Sequence, residues 1–376
     1  MTALRVLHVY RCYYPDPPGG VAEAIRQICL ATSGHGVQST IFTLSPSPVP
    51  SVLEQPEGQV VRARSWAAPA SCDLGGPAAF LRFAARARQA DVICYHFPWP
   101  FADLLDLVTR PKKPTVLVYH SDIVRQRSLG QIYAPLMRRM LSSVSAIVAT
   151  SPTYAASSPV LSDQRWKAKV RTIPLGIVES QQQEDPRVLA RLGLAEGQPF
   201  FLFLGALRYY KGLHTLVASA KRVNAPIVIA GSGTEGSALK EQSTRQGANN
   251  VLFAGQVSDA EKAALMRRCR AFVLPSHLRS EAYGMVLIEA AMAGRPLICC
   301  DIGSGMSFIN AQDESGLLVP PENEQALAEA MNAMLNDPAR AAQLGQGARA
   351  RYEQLFSGAP LGSQYAALFN ELANPS

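Results

Sequence analysis

Two doubly wound α/β domains, each on a parallel sheet, are predicted by three features of this 376-residue chain. Short runs rich in Val, Ile, Leu and Phe alternate with longer stretches of helical period. The alternation occurs in two series separated by a polar segment. The composition, 48% hydrophobic and 17% charged, supplies the core that two such domains need. Strands that alternate with helices are joined by crossovers, so the sheet is parallel and covered on both faces. A chain of this length tends to divide, since single cores stop growing at about 250–300 residues.

In the first series, strands are expected at residues 5–10, 37–44, 60–64, 92–96, 115–119 and 146–150. Helices are expected at 21–33, 77–88, 101–108 and 134–142. In the second, strands are expected at 200–204, 227–230, 251–254, 271–274 and 296–300. The stretch 179–198 holds Gln-Gln-Gln-Glu-Asp-Pro186 and little apolar pattern, which places a boundary there. The expected domains are therefore 1–178 and 179–350, with a C-terminal helical segment, 351–376, packing back on the first. The segment 44–71 is expected to carry specificity loops.

Bulk properties narrow the class. The cysteines, Cys12, Cys29, Cys72, Cys94, Cys269, Cys299 and Cys300, are odd in number and contain no CxxC pair, so they read as reduced thiols of a cytoplasmic protein. No apolar stretch reaches the roughly 18 residues of a membrane span, and the N-terminus reads as a strand, not a signal peptide. The net charge is +7, and residues 1–178 carry 19 Lys and Arg against 10 Asp and Glu. That excess suits an anionic partner. The basic segments around Arg82, Arg86 and Arg88, Arg125 and Arg127, and Arg138 and Arg139 lack aromatic interleaving. They fit an anionic membrane surface better than nucleic acid, although a solvated helix face explains them as well.

Open α/β sheets bind ligands beyond the carboxyl ends of their strands, so the residues just after strands are the candidates. Gly19-Gly20 opens the first helix, where backbone N–H groups can approach a phosphate. An ordinary helix-entry turn would look the same. The GxGxxG of dinucleotide binding is absent. Tyr119-His120-Ser-Asp122 ends the fifth strand and His96 the fourth; His120 and Asp122 can reach a ligand, and His96 is expected to wall the acceptor site beside Tyr14. Gly205-Ala-Leu-Arg208-Tyr-Tyr-Lys211-Gly212 places two cations where a leaving diphosphate needs neutralising, unless it is a solvated basic turn. The strongest segment runs from Pro275 to Pro296. A loop carries Glu281, Gly284 starts a helix, and Glu289 lies about one and a half turns in. Carboxylates repel phosphate and accept from sugar hydroxyls. The N–H groups of Gly284, Met285, Val286 and Leu287 would then hold the phosphates, Glu281 would face the transferred sugar, and Glu289 the ribose. Two surface glutamates are the plain alternative, which the apolar run Met-Val-Leu-Ile-Glu289-Ala-Ala-Met opposes.

These residues make the chain resemble the retaining, two-domain GT-B glycosyltransferases of family 4 (group 1). Its Glu-x7-Glu pattern is matched by Glu281 and Glu289, within Pro-Ser…Glu-Ala-Tyr-Gly…Gly294-Arg-Pro296, with Ser315-Gly-Leu-Leu-Val319 beyond. Gly19-Gly20, Ser33-Gly-His-Gly-Val37, His120-Ser-Asp122 and Ile173-Pro-Leu-Gly176 extend the likeness over nearly the whole chain. The resemblance implies that Gly20 contacts diphosphate, His120 the donor sugar, Lys211 the leaving group, and the two glutamates sugar and ribose. One departure is Ala206, where the family carries Arg; Arg208 is the candidate replacement.

The resemblance further implies two Rossmann-like domains facing across a cleft, a nucleotide-diphosphate sugar donor, and retention of anomeric configuration without a covalent intermediate or a metal. Within the family, Tyr-His120-Ser-Asp, residues 150–158 and Leu-Arg208-Tyr-Tyr-Lys-Gly are similar to mannosyl- and rhamnosyltransferases of O-antigen and exopolysaccharide assembly. Those use GDP-linked donors and lipid-linked acceptors at the inner face of the membrane. The alternatives are a UDP-sugar transferase, a UDP-sugar 2-epimerase and a catalytically silent sugar-nucleotide-binding subunit.

Overall fold

The computed structural model describes residues 3–17, 19–69, 72–123, 127–180 and 183–374, side chains excepted over 127–132. The chain forms two compact units, Met1–Val178 with Ser357–Ser376, and Glu179–Phe356. No helix among the described residues is long and apolar enough to cross a membrane.

The first unit contains β1 (Leu4–Val9), α1 (Gly20–Ser33), β2 (Val37–Ser45), β3 (Val52–Gln55), β4 (Gly58–Ala67) and β5 (Leu74–Gly75). It continues with α2 (Pro77–Gln89), β6 (Val92–Phe97), α3 (Pro100–Thr109), β7 (Thr115–Tyr119), α4 (Arg127–Ser143), β8 (Ala146–Ala149), α5 (Pro152–Ser157) and β9 (Val170–Thr172). The sheet runs β3-β4-β2-β1-β6-β7-β8-β9, with β5 paired to β4. Strands β4, β2, β1, β6, β7, β8 and β9 are mutually parallel; β3 and β5 join antiparallel. The expected specificity loop at 44–71 is thus largely a hairpin, β3 and β4. The alternation Val52–Gln55 is too short and polar to declare itself, and pairing with β4 decides it.

Central strands such as β6 are buried on both faces, and therefore read as continuous apolar runs. In α1 the residues Ala22, Ile25, Ile28, Cys29 and Thr32 fall on one buried face at helical spacing. Pro at the first turn starts α2, α3 and α5, where its missing N–H would have had no intrahelical acceptor.

The second unit contains α6 (Arg187–Arg191), β10 (Phe201–Leu204), α7 (Leu213–Ser219), β11 (Ile227–Ala230), α8 (Gly236–Gln246), β12 (Val251–Gly255), α9 (Asp259–Arg268) and β13 (Ala271–Leu274). It ends with α10 (Met285–Met292), β14 (Leu297–Cys300), α11 (Met306–Ile309), β15 (Gly316–Val319), α12 (Glu324–Asn336) and α13 (Pro338–Arg351). All six strands are parallel, in the order β12-β11-β10-β13-β14-β15. A Ser258–Glu261 capping box starts α9, and Asn323 and Asp337 cap α12 and α13.

The last helix, α14 (Gly358–Ala373), belongs to the first unit and packs on α1. Gly362 permits the close approach, because a Cβ there would meet the Ala31 carbonyl oxygen at 2.3 Å. All seven cysteines are free; Cys12 and Cys72 are only half-buried.

Candidate active site

Strand order locates two ligand-binding edges. In the second sheet the chain winds outward from β10 to β12, then restarts on the other side of β10 with β13. The loops after β10 and β13 therefore diverge at the carboxyl edge and leave a crevice between them. Lys211 lies on the first loop and Glu281 on the second. A hydrogen bond from the His277 N–H to the Tyr210 carbonyl, 3.1 Å, ties the loops together. Gly212 sits between them with φ +67°, and a Cβ on it would lie 2.0 Å from the Pro275 carbonyl oxygen. Glycine is required there for both reasons.

Lys211 Nζ forms an ion pair with Glu281 Oε2, and the side chains are 11% and 12% exposed. Ser276 Oγ donates to the same oxygen at 3.4 Å. Burial works against the Lys211 charge, but the Glu281 carboxylate and the nearby Tyr210 phenol outweigh it and hold the ammonium above its ordinary pKa. Nζ keeps two further N–H donors for a ligand. Arg208 is exposed, and its guanidinium makes no ion pair among the described residues.

Gly284 caps α10 with φ +89°. Gly284, Met285 and Val286 start the helix with N–H groups that lack intrahelical acceptors. Leu287 differs from expectation: its N–H donates to the Gly284 carbonyl at 2.8 Å, so it is not available to a phosphate. Glu289 is paired with Lys262 of α9 at 3.3 Å, both side chains about a quarter exposed. Lys262 was not singled out from sequence, since nothing in its own helix marks it.

In the first sheet the corresponding crossover lies between β1 and β6. Gly19 and Gly20 head α1 with open space where a Cβ would point. The Tyr14 hydroxyl donates to Glu23 Oε2 at 2.6 Å, so it is already engaged. Asp122 Oδ1 accepts from Tyr119 at 3.0 Å and Ser158 at 2.7 Å, and its N–H donates to the Tyr154 hydroxyl. Asp122 thus ties β7 to the α5 segment, where a residue reaching the acceptor was expected. His96 is corrected outright. It is 1% exposed, and both ring nitrogens face other imidazoles, so it cannot line an acceptor site.

Those imidazoles form a line. His8 Nδ1 lies 3.1 Å from His96 Nε2, and His96 Nδ1 lies 2.9 Å from His120 Nε2. Burial pushes His8 and His120 down to about 3, and burial with the two neighbouring rings takes His96 well below its ordinary value. His8 was not anticipated; only its place on β1, opposite Cys94 in the register, reveals it.

Concavity alone would mislead. A cavity of about 870 Å³ lies at the amino ends of β10, β13 and β14, lined by Phe200, Arg270, Arg295 and Pro296, at the opposite edge from Lys211 and Glu281. On the first unit, Arg88, Arg110, Lys112 and Lys113 line a cavity of about 300 Å³. Of the other basic residues, Arg139 is paired with Asp106 and Arg82 donates to the Arg62 carbonyl. Arg125 and the Arg127 side chain lie outside the described residues.

Comparison with known proteins gives these features a context. Residues 185–351 match the model for glycosyl transferases group 1, and residues 18–181 that for glycosyltransferase family 4. The chain is 40% identical over 369 residues to the O-antigen chain mannosyltransferase C of Escherichia coli, covering 98% of this chain and 99% of that one. It is 42% identical to the D-rhamnosyltransferase WbpZ of Pseudomonas aeruginosa, covering 94% and 92%. Among solved structures, sucrose-phosphate synthase from Thermosynechococcus elongatus has a TM-score of 0.79 at 24% identity over 98% of this chain and 99% of its own. Anabaena HepE in complex with UDP scores 0.79 at 19%, covering 98% and 100%. These structures share the fold.

Proposed function

Because the chain belongs to the group 1, family 4 glycosyltransferases, we propose that it moves mannose or rhamnose from a GDP-linked donor to a lipid-linked saccharide in cell-surface polysaccharide assembly, with retention of anomeric configuration. Two relatives that span most of the chain, a mannosyltransferase and a D-rhamnosyltransferase, support the sugar.

The observation that carries the chemistry is the grouping of Lys211, Glu281 and the α10 N-terminus at one strand crossover. Breaking the bond from sugar to phosphate builds charge on the diphosphate. Lys211 and the N–H groups of Gly284, Met285 and Val286 meet that charge with fixed donors, and the exposed Arg208 adds a guanidinium, so no metal is called for. Glu281 serves as an acceptor for sugar hydroxyls. Its ion pair with Lys211 makes it a poor nucleophile, which supports displacement without a glycosyl-enzyme intermediate. Glu289, paired with Lys262, accepts from the ribose hydroxyls. On the first unit, Gly19 and Gly20 offer N–H groups suited to a phosphate, and His120 contacts a sugar hydroxyl. The basic cavity around Arg88 and Lys113 gives the acceptor's membrane an anionic headgroup site.

Calorimetry with GDP, UDP and ADP tests the reading, with Glu289→Ala as control. GDP binding that weakens in the variant is the expected result. Preference for UDP transfers the proposal to a UDP-sugar donor. Binding of none of the three overturns the reading.

A further inference from the structure

We infer that His8, His96 and His120 form a one-way hydrogen-bond relay that holds His120 as a fixed neutral donor, its Nδ1–H turned toward the ligand, with His96 as the positioning residue. The inference rests on the proposal that His120 contacts a sugar.

The relay follows from register. His8 on β1 is opposite Cys94 on β6, and His96 is opposite Val118 on β7. Side chains alternate along a strand, so His8, Cys94, His96, Val118 and His120 share one face. That face is covered by α14, whose Phe369 ring meets His8 edge to face at 6.1 Å. His8, His96 and His120 are 0%, 1% and 6% exposed. A charge cannot reside there without a partner, and burial holds all three rings neutral.

A neutral imidazole has one donor and one acceptor nitrogen, so a chain of three can order its protons in only two ways. Either every proton sits on Nδ1 and points from His8 toward His120, or every proton sits on Nε2 and points back. The dead end chooses. His8 Nε2 is buried and has no hydrogen-bond partner among the described residues. A buried lone pair without a partner is tolerated better than an orphaned N–H. The protons therefore run from His8 Nδ1 to His96 Nε2 and from His96 Nδ1 to His120 Nε2. His120 Nδ1, the remaining nitrogen, carries the last proton and has no partner among the described residues.

A ring of such low basicity is a poor proton acceptor and a good fixed donor, which suits a reaction whose leaving phosphate takes the acceptor's proton. His120 would donate to a sugar oxygen and leave the proton in place. The two outer rings prevent the flip that would turn a lone pair toward that oxygen.

Selective ¹⁵N labelling of the six histidines of the full chain reads the tautomers directly. The expected spectrum shows three imidazoles in the Nδ1–H form, unchanged from pH 5 to 9. His120 in the Nε2–H form overturns the relay. So does one equivalent of zinc in the protein as purified, because His8, Cys94 and His96 have atoms within 4.8 Å of one another, a spacing that could hold an ion. His96→Leu should leave His120 a mixture of tautomers and lower kcat more than tenfold at nearly constant donor KM. His96→Asn, which restores an amide donor near the Nδ1 position, should recover most of the loss; equal loss in both makes His96 merely a packing residue. Turnover untouched by His120→Ala overturns the role given to His120 whatever the spectra show.

Discussion

Replacing Lys211 by Met leaves the Glu281 carboxylate with no cation, in a position where its side chain is only 12% exposed. Both side chains are nearly as inaccessible as core residues, so the pair falls in the class where removing one partner costs about 3–5 kcal/mol, not the 0–1 kcal/mol of an exposed pair. For a unit of the size of Glu179–Phe356 that is on the order of 6–20 °C in Tm. The remaining contact of Glu281 in this cluster, Ser276 Oγ at 3.4 Å, is too long to compensate a charge. Glu281→Gln alone should cost less, because the ammonium left behind still faces the Tyr210 ring, 5.4 Å from its centroid. The double variant Lys211→Met with Glu281→Gln should recover most of the stability and none of the activity. Urea unfolding of the four proteins gives the coupling energy, expected at about 1.5–3 kcal/mol. A Lys211→Met cost below about 1 kcal/mol would refute the argument, since it would mean that water screens the pair as at a surface.

Four other outcomes follow from the same geometry. Gly212→Ala forces a left-handed backbone on alanine and drives its Cβ into the Pro275 carbonyl, so it should destabilise by at least about 2 kcal/mol in denaturant melts. Arg208→Ala should lower kcat about 10²–10³-fold with little change in donor affinity by calorimetry, as expected of a donor used only as the bond breaks. Asp122→Ala strands the buried Tyr119 hydroxyl and should cost about 1–3 kcal/mol in Tm-derived stability while leaving acceptor KM unchanged. Acid stability is the last. The three relay histidines have folded pKa values below ordinary, so their contribution is complete above about 6.5 and is lost as pH falls. Asp103, raised to about 7 chiefly by burial, works in the opposite sense. Three such imidazoles outweigh one such carboxyl, so stability should fall as pH drops from 6 to 4, on the order of 2–3 kcal/mol per pH unit, readable from melts of the full chain; a flat profile would show that the imidazoles are hydrated.

The fold was legible because parallel strands buried on both faces announce themselves. Segments such as Val92–Phe97 and Ile227–Ala230 have no polar alternation to confuse with a helix and lie at regular intervals. What escaped were edge elements. β3, β5 and β9 are short and half-exposed, and β15, though a clear apolar run, was read only as a motif. Short edges depend on a neighbour for their hydrogen bonds, so their existence is a property of pairing and not of their own residues.

The site divides along the same line. On the second unit the features that place the expected residues are local in sequence: a glycine cap for α10, a cation after β10, a carboxylate before the helix. On the first unit the partners are far apart in sequence. His8 and His96 are separated by 88 residues and His96 and His120 by 24, and only the β1-β6-β7 register brings them into line. A histidine at a strand end was therefore visible as a candidate, yet its neighbour two strands away was not. The same distance explains the error at His96. Ending β6 as His120 follows β7 made the two look equivalent, but β6 is flanked by β1 and β7 and roofed by α14, so His96 is sealed between two rings at 1% exposure, while His120, beyond its strand end, is 6% exposed. How deeply each of two like residues is buried is decided by strand order, which the chain specifies only through the whole sheet.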